Sequence, residues 1–354
     1  MKNQIISSLE DSNNLYLKRN QMSQKWIKKY VLITIFILSF IGLINYIMDP
    51  FWTFNHSHKF NNFQKGINER QQKSNYIYFT DKKYDTLLLG SSRTTYMNPN
   101  SFENYKVFNY SAVAMRPQEY KVFIDFAIKD SNQPIDTIIL AVDFFGYLDN
   151  KLFKYNQGPK IIENTKSLFY RWKNLFTFDA LEASLKNLKD YFKNKADRYT
   201  RELIKSYSKR DPKSIENQVL IDIEDYKKEA YNGNVNINFY TILNNLKNDY
   251  NDKKFLIYTT PISYPLFKEM LELGHKDNYK NWLRDLVEIF GEIHHFMYIN
   301  SVTVNYTSYF GDSNHAYPET NAIVAKTVEK NENLIYDFGI ILNKNNIEEF
   351  LSKI

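Results

Sequence analysis

The longest apolar stretch of the chain covers residues 30–48, nineteen positions without a charged side chain. Only Thr34, Ser39 and Asn45 interrupt it with polar groups. At about 1.5 Å per residue, a helix of this length crosses a hydrocarbon core of about 30 Å, so we predict a membrane span. A cleaved signal peptide and a buried core helix are the alternatives. The run is long and no small-residue cleavage site follows it, which favours an uncleaved anchor.

The flanks of this stretch predict its orientation. Residues 1–29 carry six Lys or Arg side chains against two Asp or Glu side chains. Because basic flanks stay in the cytoplasm, we expect residues 1–29 to be a cytoplasmic tail. The main domain then lies on the periplasmic or extracellular side of a bacterial inner membrane. Aromatic residues suited to the membrane interface stand at both ends of the span: Trp26, Tyr30, Phe51 and Trp52.

Short apolar runs alternate with helical patterns over much of the remaining chain. Strands are predicted at 85–89, 106–110, 135–142, 254–259 and 293–299, and helices at 117–129, 265–273, 279–290 and 318–330. Such alternation is typical of a parallel sheet with helices on both faces. The expected fold class is α/β, a three-layer sandwich of about five strands. Its ligands should bind at the carboxyl ends of the strands.

Residues 49–80 fall outside this alternation. They are polar and unperiodic, and we predict a solvated juxtamembrane linker. His56 and His58 are two positions apart, a spacing that would suit a metal site on a strand. Since the segment has no cysteine, and no acidic residue between these histidines and Glu69, a solvated connector is the preferred interpretation.

Residues 150–250 are predicted to form a mostly helical insertion within an α/β domain at 81–354. Apolar residues recur there at helical spacing after a cap at Asp179: Leu181, Leu185, Leu188 and Phe192. Lysines and aromatic residues decorate the same region. They are typical of a solvated helix face, or of a cap over an active site that binds an anionic or sugar polymer.

Composition narrows the classes of function. The chain is 43% hydrophobic and 16% aromatic, enough for a sizeable core, and its formal net charge of +6 gives little support to nucleic-acid binding. The absence of cysteine excludes disulfides, thiolate nucleophiles and cysteine-ligated metals. His294 and His295 are adjacent on a predicted strand and point to opposite faces, so they do not suit one ion. We expect no cofactor and no metal.

Two loops carry candidate chemistry. The apolar run at 86–89 ends in Gly-Ser-Ser at 90–92, which presents a hydroxyl at the end of a strand; an ordinary polar turn is the alternative. Near the C-terminus, Asp312 and His315 stand in an Asp-x-x-His loop before the helix predicted at 318. A serine hydroxyl needs a base to take its proton, and a carboxylate orients that base. For His315 alone, a satisfied surface histidine is the alternative.

At these residues the sequence resembles the SGNH, or GDSL-like, hydrolase superfamily, over roughly residues 81–148 and 250–332. The resemblance implies a flavodoxin-like three-layer α/β/α fold. It also implies Ser92 as the nucleophile, His315 as the general base and Asp312 as the orienting acid. Ser91 replaces the usual aspartate of the first motif.

The oxyanion motifs of the family are altered in this chain. Asn109 and Ser111 stand where the family has Asn-x-Gly, so the resemblance assigns the backbone amide of Ser111, together with that of Ser92, to the oxyanion hole. Asp143 occupies the family's asparagine position, and an aspartate donates a hydrogen bond only when it is protonated. Arg93, beside the nucleophile, is a candidate for binding an anionic substrate group, or is a surface charge.

These departures and the N-terminal anchor look more like the cell-envelope branch of the superfamily. This branch includes the D-alanine transfer proteins of teichoic acid and the alginate O-acetylation proteins. The resemblance implies acyl transfer or ester hydrolysis on a cell-envelope polysaccharide or another acylated substrate, in some cases beside a membrane-bound O-acyltransferase. The alternative is a catalytically inactive module that binds glycan or scaffolds such an acyltransferase.

Overall fold

The computed structural model of the protein describes residues 2–149, 157–193, 195 and 197–354. Its first element is helix α1, Lys2–Met48. Within the described residues, α1 is the one helix long and apolar enough to cross a membrane, with a candidate span at Leu15–Met48. The predicted span at 30–48 is therefore the apolar end of a longer helix.

The centre of the fold is a six-stranded sheet. Its strands are β1 Thr86–Leu89, β2 Val107–Asn109, β3 Thr137–Val142, β4 Lys254–Thr259, β5 Glu292–His295 and β6 Ile340–Asn343. The spatial order is β6-β5-β4-β3-β1-β2, with β6 antiparallel to β5 and all other pairs parallel. The predicted α/β class with a mainly parallel sheet is confirmed, and β6 is an additional edge strand.

Helices cover both faces of this sheet. After α1 they are α2 Glu69–Phe79, α3 Pro117–Asp125, α4 Gly158–Lys166, α5 Tyr170–Asn174, α6 Phe178–Phe192, α7 Pro212–Lys228, α8 Phe239–Asp249, α9 Tyr264–Met270, α10 Lys276–Phe290, α11 Ser301–Val304, α12 Tyr306–Tyr309, α13 Pro318–Lys330 and α14 Ile347–Ser352. Leu87 and Leu89 of β1 share one core with α3, α8 and α10, whereas Leu88 shares the other with α13. This alternation follows from the two-residue period of a strand.

The segment at 49–80 is not a solvated linker, because it contains the packed helix α2. Four of the six buried residues of α2 are polar, including Lys73 and Ser74. Lys73 Nζ donates to the carbonyl oxygen of Ser111 at 2.6 Å, and the Ser74 and Tyr110 hydroxyls lie 2.6 Å apart. Burial of polar groups is tolerated when they are hydrogen-bonded, so polar composition alone concealed this packed helix.

The two histidines of this segment cap the end of α1. Nε2 of His56 lies 2.9 Å from the carbonyl oxygen of Tyr46, and Nε2 of His58 lies 2.9 Å from that of Ile47. The last carbonyl groups of a helix lack partners within the helix, and here the two rings supply donors. Burial lowers the pKa of His56, which favours the neutral ring.

The helical insertion packs against the same end of α1. Asn45 Nδ2 donates to the carbonyl oxygen of Leu175 at 2.9 Å, and the Ser184 hydroxyl donates to Asn45 Oδ1 at 2.8 Å. A Cβ atom on Gly42 would lie 2.9 Å from the Phe176 ring, so the absence of a side chain at Gly42 allows the ring to approach α1. The polar interruption at Asn45 is therefore a docking contact.

Helix α6 presents a different face to the protein from the one that its apolar pattern predicts. Its cap is Thr177 rather than Asp179, and Leu185 and Phe192 are 51% and 73% exposed. The buried face consists of smaller and polar residues: Ala180, Ala183, Ser184, Asn187 and Asp190. Short pairings at Gln64–Lys65 with Arg198–Tyr199 and at Leu148–Asp149 with Asn234–Val235 join the insertion to the rest of the domain.

Candidate active site

The structure brings the three side chains of the predicted triad together at the carboxyl edge of the sheet. Ser92 follows β1, and the loop that carries Asp312 and His315 precedes α13. The Ser92 hydroxyl lies 2.9 Å from His315 Nε2, and His315 Nδ1 lies 2.7 Å from Asp312 Oδ2. All three are partly accessible to solvent. Their catalytic role stays a prediction, and their geometry is that of a nucleophile, a base and an orienting acid.

A tight turn holds Asp312 in its ionised form. Its Oδ1 accepts the backbone amides of Asn314 at 2.9 Å and His315 at 2.8 Å. Burial acts to raise the pKa of Asp312, but the His315 ring and these hydrogen bonds outweigh it and lower the pKa to about 2. Because the carboxylate can only accept, Nδ1 of His315 carries the proton. Nε2 of the neutral ring is then free to accept the Ser92 proton.

The turn that presents Ser92 depends on close backbone packing. A Cβ atom on Gly90 would lie 2.5 Å from Thr94 Oγ1 and 2.7 Å from Ala141 Cβ, so a larger residue does not fit. The carbonyl oxygen of Ser92 accepts the amide of Thr95 at 3.1 Å and its hydroxyl at 2.7 Å. Among the residues that the structure describes, none accepts a hydrogen bond from the Ser92 amide. This N–H group is therefore available to an oxyanion.

The second predicted oxyanion donor is already engaged within the protein. The amide of Ser111 donates to Asn109 Oδ1 at 3.1 Å, and its hydroxyl donates to the same oxygen. Asn109 Nδ2 donates in turn to the carbonyl oxygens of Thr94 and Met97, each at 3.0 Å. Asn109 and Ser111 are both fully buried. These residues hold the β2 loop against the nucleophile turn, and neither is open to a substrate in this structure.

Arg93 and Asp143 form a buried ion pair. Arg93 Nη1 lies 3.2 Å from Asp143 Oδ1 and 3.2 Å from Thr260 Oγ1, and Nη2 donates to the Tyr226 hydroxyl at 3.1 Å. Arg93 is 3% exposed and Asp143 is 5% exposed. Arg93 is therefore neither a surface charge nor a group open to an anionic substrate. Asp143 acts as an acceptor that fastens the nucleophile turn to the ends of β3 and β4.

Helix α7 of the insertion supports both the turn that carries Ser92 and the loop that carries Asp312 and His315, and sequence reasoning missed it. Tyr226 receives the Arg93 hydrogen bond beside the nucleophile. Asp222, one helical turn earlier, accepts from the amide of Ser313 at 3.1 Å and from its hydroxyl at 2.8 Å. Their spacing of four residues places Asp222 and Tyr226 on one side of the helix, which is the available sequence signal. Charged helix positions are usually solvated, so this signal is ambiguous.

A cleft of about 160 Å³ adjoins the triad. The insertion forms one wall, and the loop with Asp312 and His315 forms the other together with Tyr96. The lining residues are Tyr96, Asp197, Tyr207, Ser208, Arg210, Gly311, Asp312, His315, Ala316 and Tyr317. The Tyr96 ring meets His315 edge-on, with centroids 5.8 Å apart, and its hydroxyl donates to Asp197 Oδ1 at 2.9 Å. A dry cavity of about 150 Å³ accommodates benzene, so this cleft has room for a small acyl group or part of a sugar ring.

Two lysines, the buried Lys73 and the half-buried Lys205, lie behind the loops of the candidate site. Lys73 Nζ lies 5.3 Å from the centre of the Tyr199 ring, and Lys205 Nζ lies 5.5 Å from the same centre. Lys205 also lies 3.3 Å from Thr95 Oγ1 and 3.9 Å from a Glu69 carboxylate oxygen. Burial lowers the pKa of Lys205 and lowers that of Lys73 from 10.5 to about 7. Lys73 was not singled out from the sequence, and Lys205 is one of the insertion lysines predicted to lie on a solvated helix face or on a cap over the site.

The adjacent histidines at the end of β5 lie away from this site and from each other. His295 Nδ1 lies 2.7 Å from Thr259 Oγ1 and its Nε2 lies 2.8 Å from the Tyr279 hydroxyl, whereas His294 Nε2 lies 2.7 Å from Asn331 Oδ1. Burial lowers the pKa of His295 to about 3, so this ring is neutral. In the described part of the chain, no group of three or more His, Asp or Glu side chains is placed to hold a metal ion.

No family model matches the chain, and no curated protein matches it.

Proposed function

We propose that this protein is a membrane-anchored serine esterase or O-acyltransferase of the SGNH type. The observation that carries the proposal is the hydrogen-bonded chain from Ser92 through His315 to Asp312, with distances of 2.9 and 2.7 Å. The side chains come from loops 223 positions apart in sequence. A serine whose proton can pass to a histidine oriented by a carboxylate is the arrangement that acyl transfer requires.

The reaction proceeds in two acyl transfers. Ser92 Oγ attacks the carbonyl carbon of an ester while its proton moves to His315 Nε2, and the Ser92 amide donates to the oxyanion. Collapse breaks the ester bond, and the departing oxygen takes the proton from His315. Water or a sugar hydroxyl then attacks the acyl-serine, giving its proton to His315, and the Ser92 hydroxyl is restored. Asp312 stays ionised and stabilises the charged imidazole in both steps.

The strand order supports the flavodoxin-like fold and the SGNH family as part of this proposal. Apart from the edge strand β6, the order is β2-β1-β3-β4-β5, which is the flavodoxin-like order. Ser92 follows the first strand, and the Asp312/His315 loop precedes α13. These are the positions at which the family carries its nucleophile and its acid–base pair.

The envelope placement and the substrate class belong to the same proposal. The basic flank of α1 orients the N-terminus to the cytoplasm of a bacterial inner membrane, with the catalytic domain on the periplasmic or extracellular side. Tyrosine rings and Arg210 around the cleft suit an acylated cell-envelope polysaccharide, since sugar rings stack on aromatic faces. A membrane-bound O-acyltransferase is the proposed partner.

One observation favours the alternative of an inactive module that binds glycan or scaffolds an acyltransferase. The Ser111 amide and the Asp143 carboxylate, which occupy the family's oxyanion positions, are both engaged in internal hydrogen bonds. The oxyanion hole then retains the Ser92 amide as its free donor. An inactive module would leave the Ser92 hydroxyl unreactive despite the intact triad geometry.

Labelling with a fluorophosphonate separates these two functions, because only an activated serine reacts with it. We expect the full-length protein to be labelled at Ser92 and to hydrolyse an aryl acetate, and Ser92→Ala to lose both properties while keeping its circular dichroism spectrum. Ser91→Ala is the matched control and should retain labelling, since the Ser91 hydroxyl has no contact with His315. Absence of labelling in the wild-type protein would refute the proposal that it is an enzyme. Faster acyl release with a polysaccharide acceptor than with water would identify a transferase.

A further inference from the structure

The insertion carries a concentrated apolar surface, which we call the apolar segment, at residues 168–178. Five large side chains of this short stretch are exposed: Leu168 74%, Phe169 62%, Trp172 52%, Phe176 53% and Phe178 81%. Apolar residues scattered singly over a surface are ordinary, but a contiguous group of this kind marks a binding surface. The proposed ester chemistry makes no use of it.

The position of the apolar segment relative to α1 indicates its ligand. The Phe176 ring packs beside Gly42, and Leu175 accepts the hydrogen bond from Asn45. Gly42 lies six residues before Met48, the end of α1, which corresponds to about 9 Å along the helix axis. The apolar face of a helix lying in a membrane interface is buried by about 5–10 Å. Phe176 is therefore at the depth of the bilayer surface when α1 spans the membrane.

The composition of the segment suits the boundary between lipid headgroups and acyl chains. Trp and Tyr are enriched at this boundary, and basic side chains there bind anionic headgroups. Lys173 is exposed among these aromatic residues, whereas the Arg171 guanidinium packs over the Phe54 ring, 4.6 Å from its centre. Phe169 has a left-handed backbone (φ 60°), which is uncommon for a bulky residue, in the turn that leads into α5.

We propose that the apolar segment inserts into the outer boundary of the leaflet in which α1 ends. The catalytic domain is then held to the bilayer at two places, by α1 and by the side chains of 168–178, and its orientation relative to the membrane is fixed. Leu175 and Phe176 of the segment contact the membrane end of α1. Lipid is therefore the occupant of the segment rather than a second protein. The inference rests on α1 spanning a membrane and is independent of the esterase proposal.

The absence of cysteine permits a direct test with single spin labels. Full-length protein carrying Phe178→Cys or Phe169→Cys is labelled with a nitroxide and reconstituted in nanodiscs of phosphatidylcholine and phosphatidylglycerol. Phe36→Cys, in the middle of the predicted span, is the membrane control. Tyr336→Cys is the aqueous control, since Tyr336 is 97% exposed in the loop before β6, at the opposite edge of the sheet from β2.

Oxygen concentrates in the bilayer and a nickel chelate concentrates in water. The ratio of the label's accessibility to oxygen and to the nickel chelate therefore reports its depth in the membrane. We expect the ratio of oxygen to nickel accessibility at Phe178→Cys and Phe169→Cys to exceed that at Tyr336→Cys several-fold and to approach that at Phe36→Cys. A ratio equal to that at Tyr336→Cys would overturn the proposal. Shielding of the labels from both reagents would show that protein covers the surface and would overturn it as well.

Discussion

Lys73 provides a quantitative test of the packing behind the candidate site. Its ammonium group is fully buried, with the Ser111 carbonyl oxygen at 2.6 Å. Burial lowers its pKa from 10.5 to about 7; the Glu69 carboxylate opposes this change and the Lys205 ammonium reinforces it. At about 1.4 kcal/mol per pH unit, this difference corresponds to roughly 5 kcal/mol between the charged and neutral forms.

The sign of the pH dependence follows from proton counting. Between about pH 7 and 10.5 the unfolded chain holds a proton on Lys73 that the folded chain has released, so stability rises with pH across this window. Below about pH 7 both states are charged, and the folded state bears the full cost of burying the charge. Lys73→Met removes this pH-dependent contribution. It also removes the hydrogen bond to Ser111, which at all pH values costs about 1–3 kcal/mol.

Thermal unfolding of the full chain in detergent micelles, followed by near-ultraviolet circular dichroism, measures this contribution. For a domain of this size, about 1 kcal/mol changes the Tm by roughly 2 °C. Relative to Lys73→Met, the wild-type Tm should therefore rise by on the order of 10 °C between pH 6 and pH 10. The exposed Lys344→Met is the control and should keep the wild-type pH dependence. A constant Tm difference between Lys73→Met and wild type would refute a buried charge at Lys73.

Three further variants test the site itself. Asp312→Asn should lower kcat for an aryl ester by roughly 10³–10⁴, because His315 loses its orienting carboxylate. Since the pKa of Asp312 is lowered to about 2, its ionised form stabilises the fold above pH 3.8. This contribution disappears as the pH falls through 2, and acid unfolding compared with Asp312→Asn measures it. Gly90→Ala places a methyl group 2.5 Å from Thr94 Oγ1 and should lower both the Tm and the rate of fluorophosphonate labelling; an unchanged rate would contradict the packing described for this turn. Tyr226→Phe removes one acceptor from a buried guanidinium and should destabilise the protein by about 1–3 kcal/mol, measured as a lower Tm.

The features that the sequence predicted well are those set by local pattern. The strands predicted at 254–259 and at 85–89 correspond to β4 and β1, because a short apolar run that ends in a turn has few other structures. The helix predicted at 279–290 lies within α10, because its apolar residues recur at helical spacing. The position of Ser92 at the carboxyl edge of the sheet followed from the rule for ligand sites in parallel sheets, whereas its pairing with His315 was implied by the resemblance to the SGNH family.

The features that the sequence did not predict depend on contacts between distant polar groups. The sequence predicts that Lys73 and Asp222 are exposed to solvent, because charged residues usually are. Each is held by a partner from another part of the chain, Ser111 and Ser313 respectively, and no spacing rule reveals such a pair. The prediction for helix α6 was wrong in the opposite direction, because apolar residues expected to be buried are exposed. Its apolar stripe predicted a core face, but Leu185 is exposed in the structure.

The internal hydrogen bonds at the oxyanion positions show a further limit of sequence reasoning. The motif around Ser111 identified an amide at the right place in the chain. Whether that amide is free depends on the rotamer of Asn109, whose Oδ1 accepts it in the structure. A side-chain rotamer is decided by the surrounding packing and is not encoded in the motif.

The contact between Asn45 and the insertion has a practical consequence for anyone preparing a soluble fragment. A chain cut after Met48 lacks the Asn45 side-chain amide. The carbonyl oxygen of Leu175 and the hydroxyl of Ser184 then lose the group that joins them. It also deprives the His56 ring of the Tyr46 carbonyl. Removing the anchor therefore removes part of the domain's own support. A fragment that keeps the last two turns of α1 should be more stable and less prone to self-association than one that begins at residue 49.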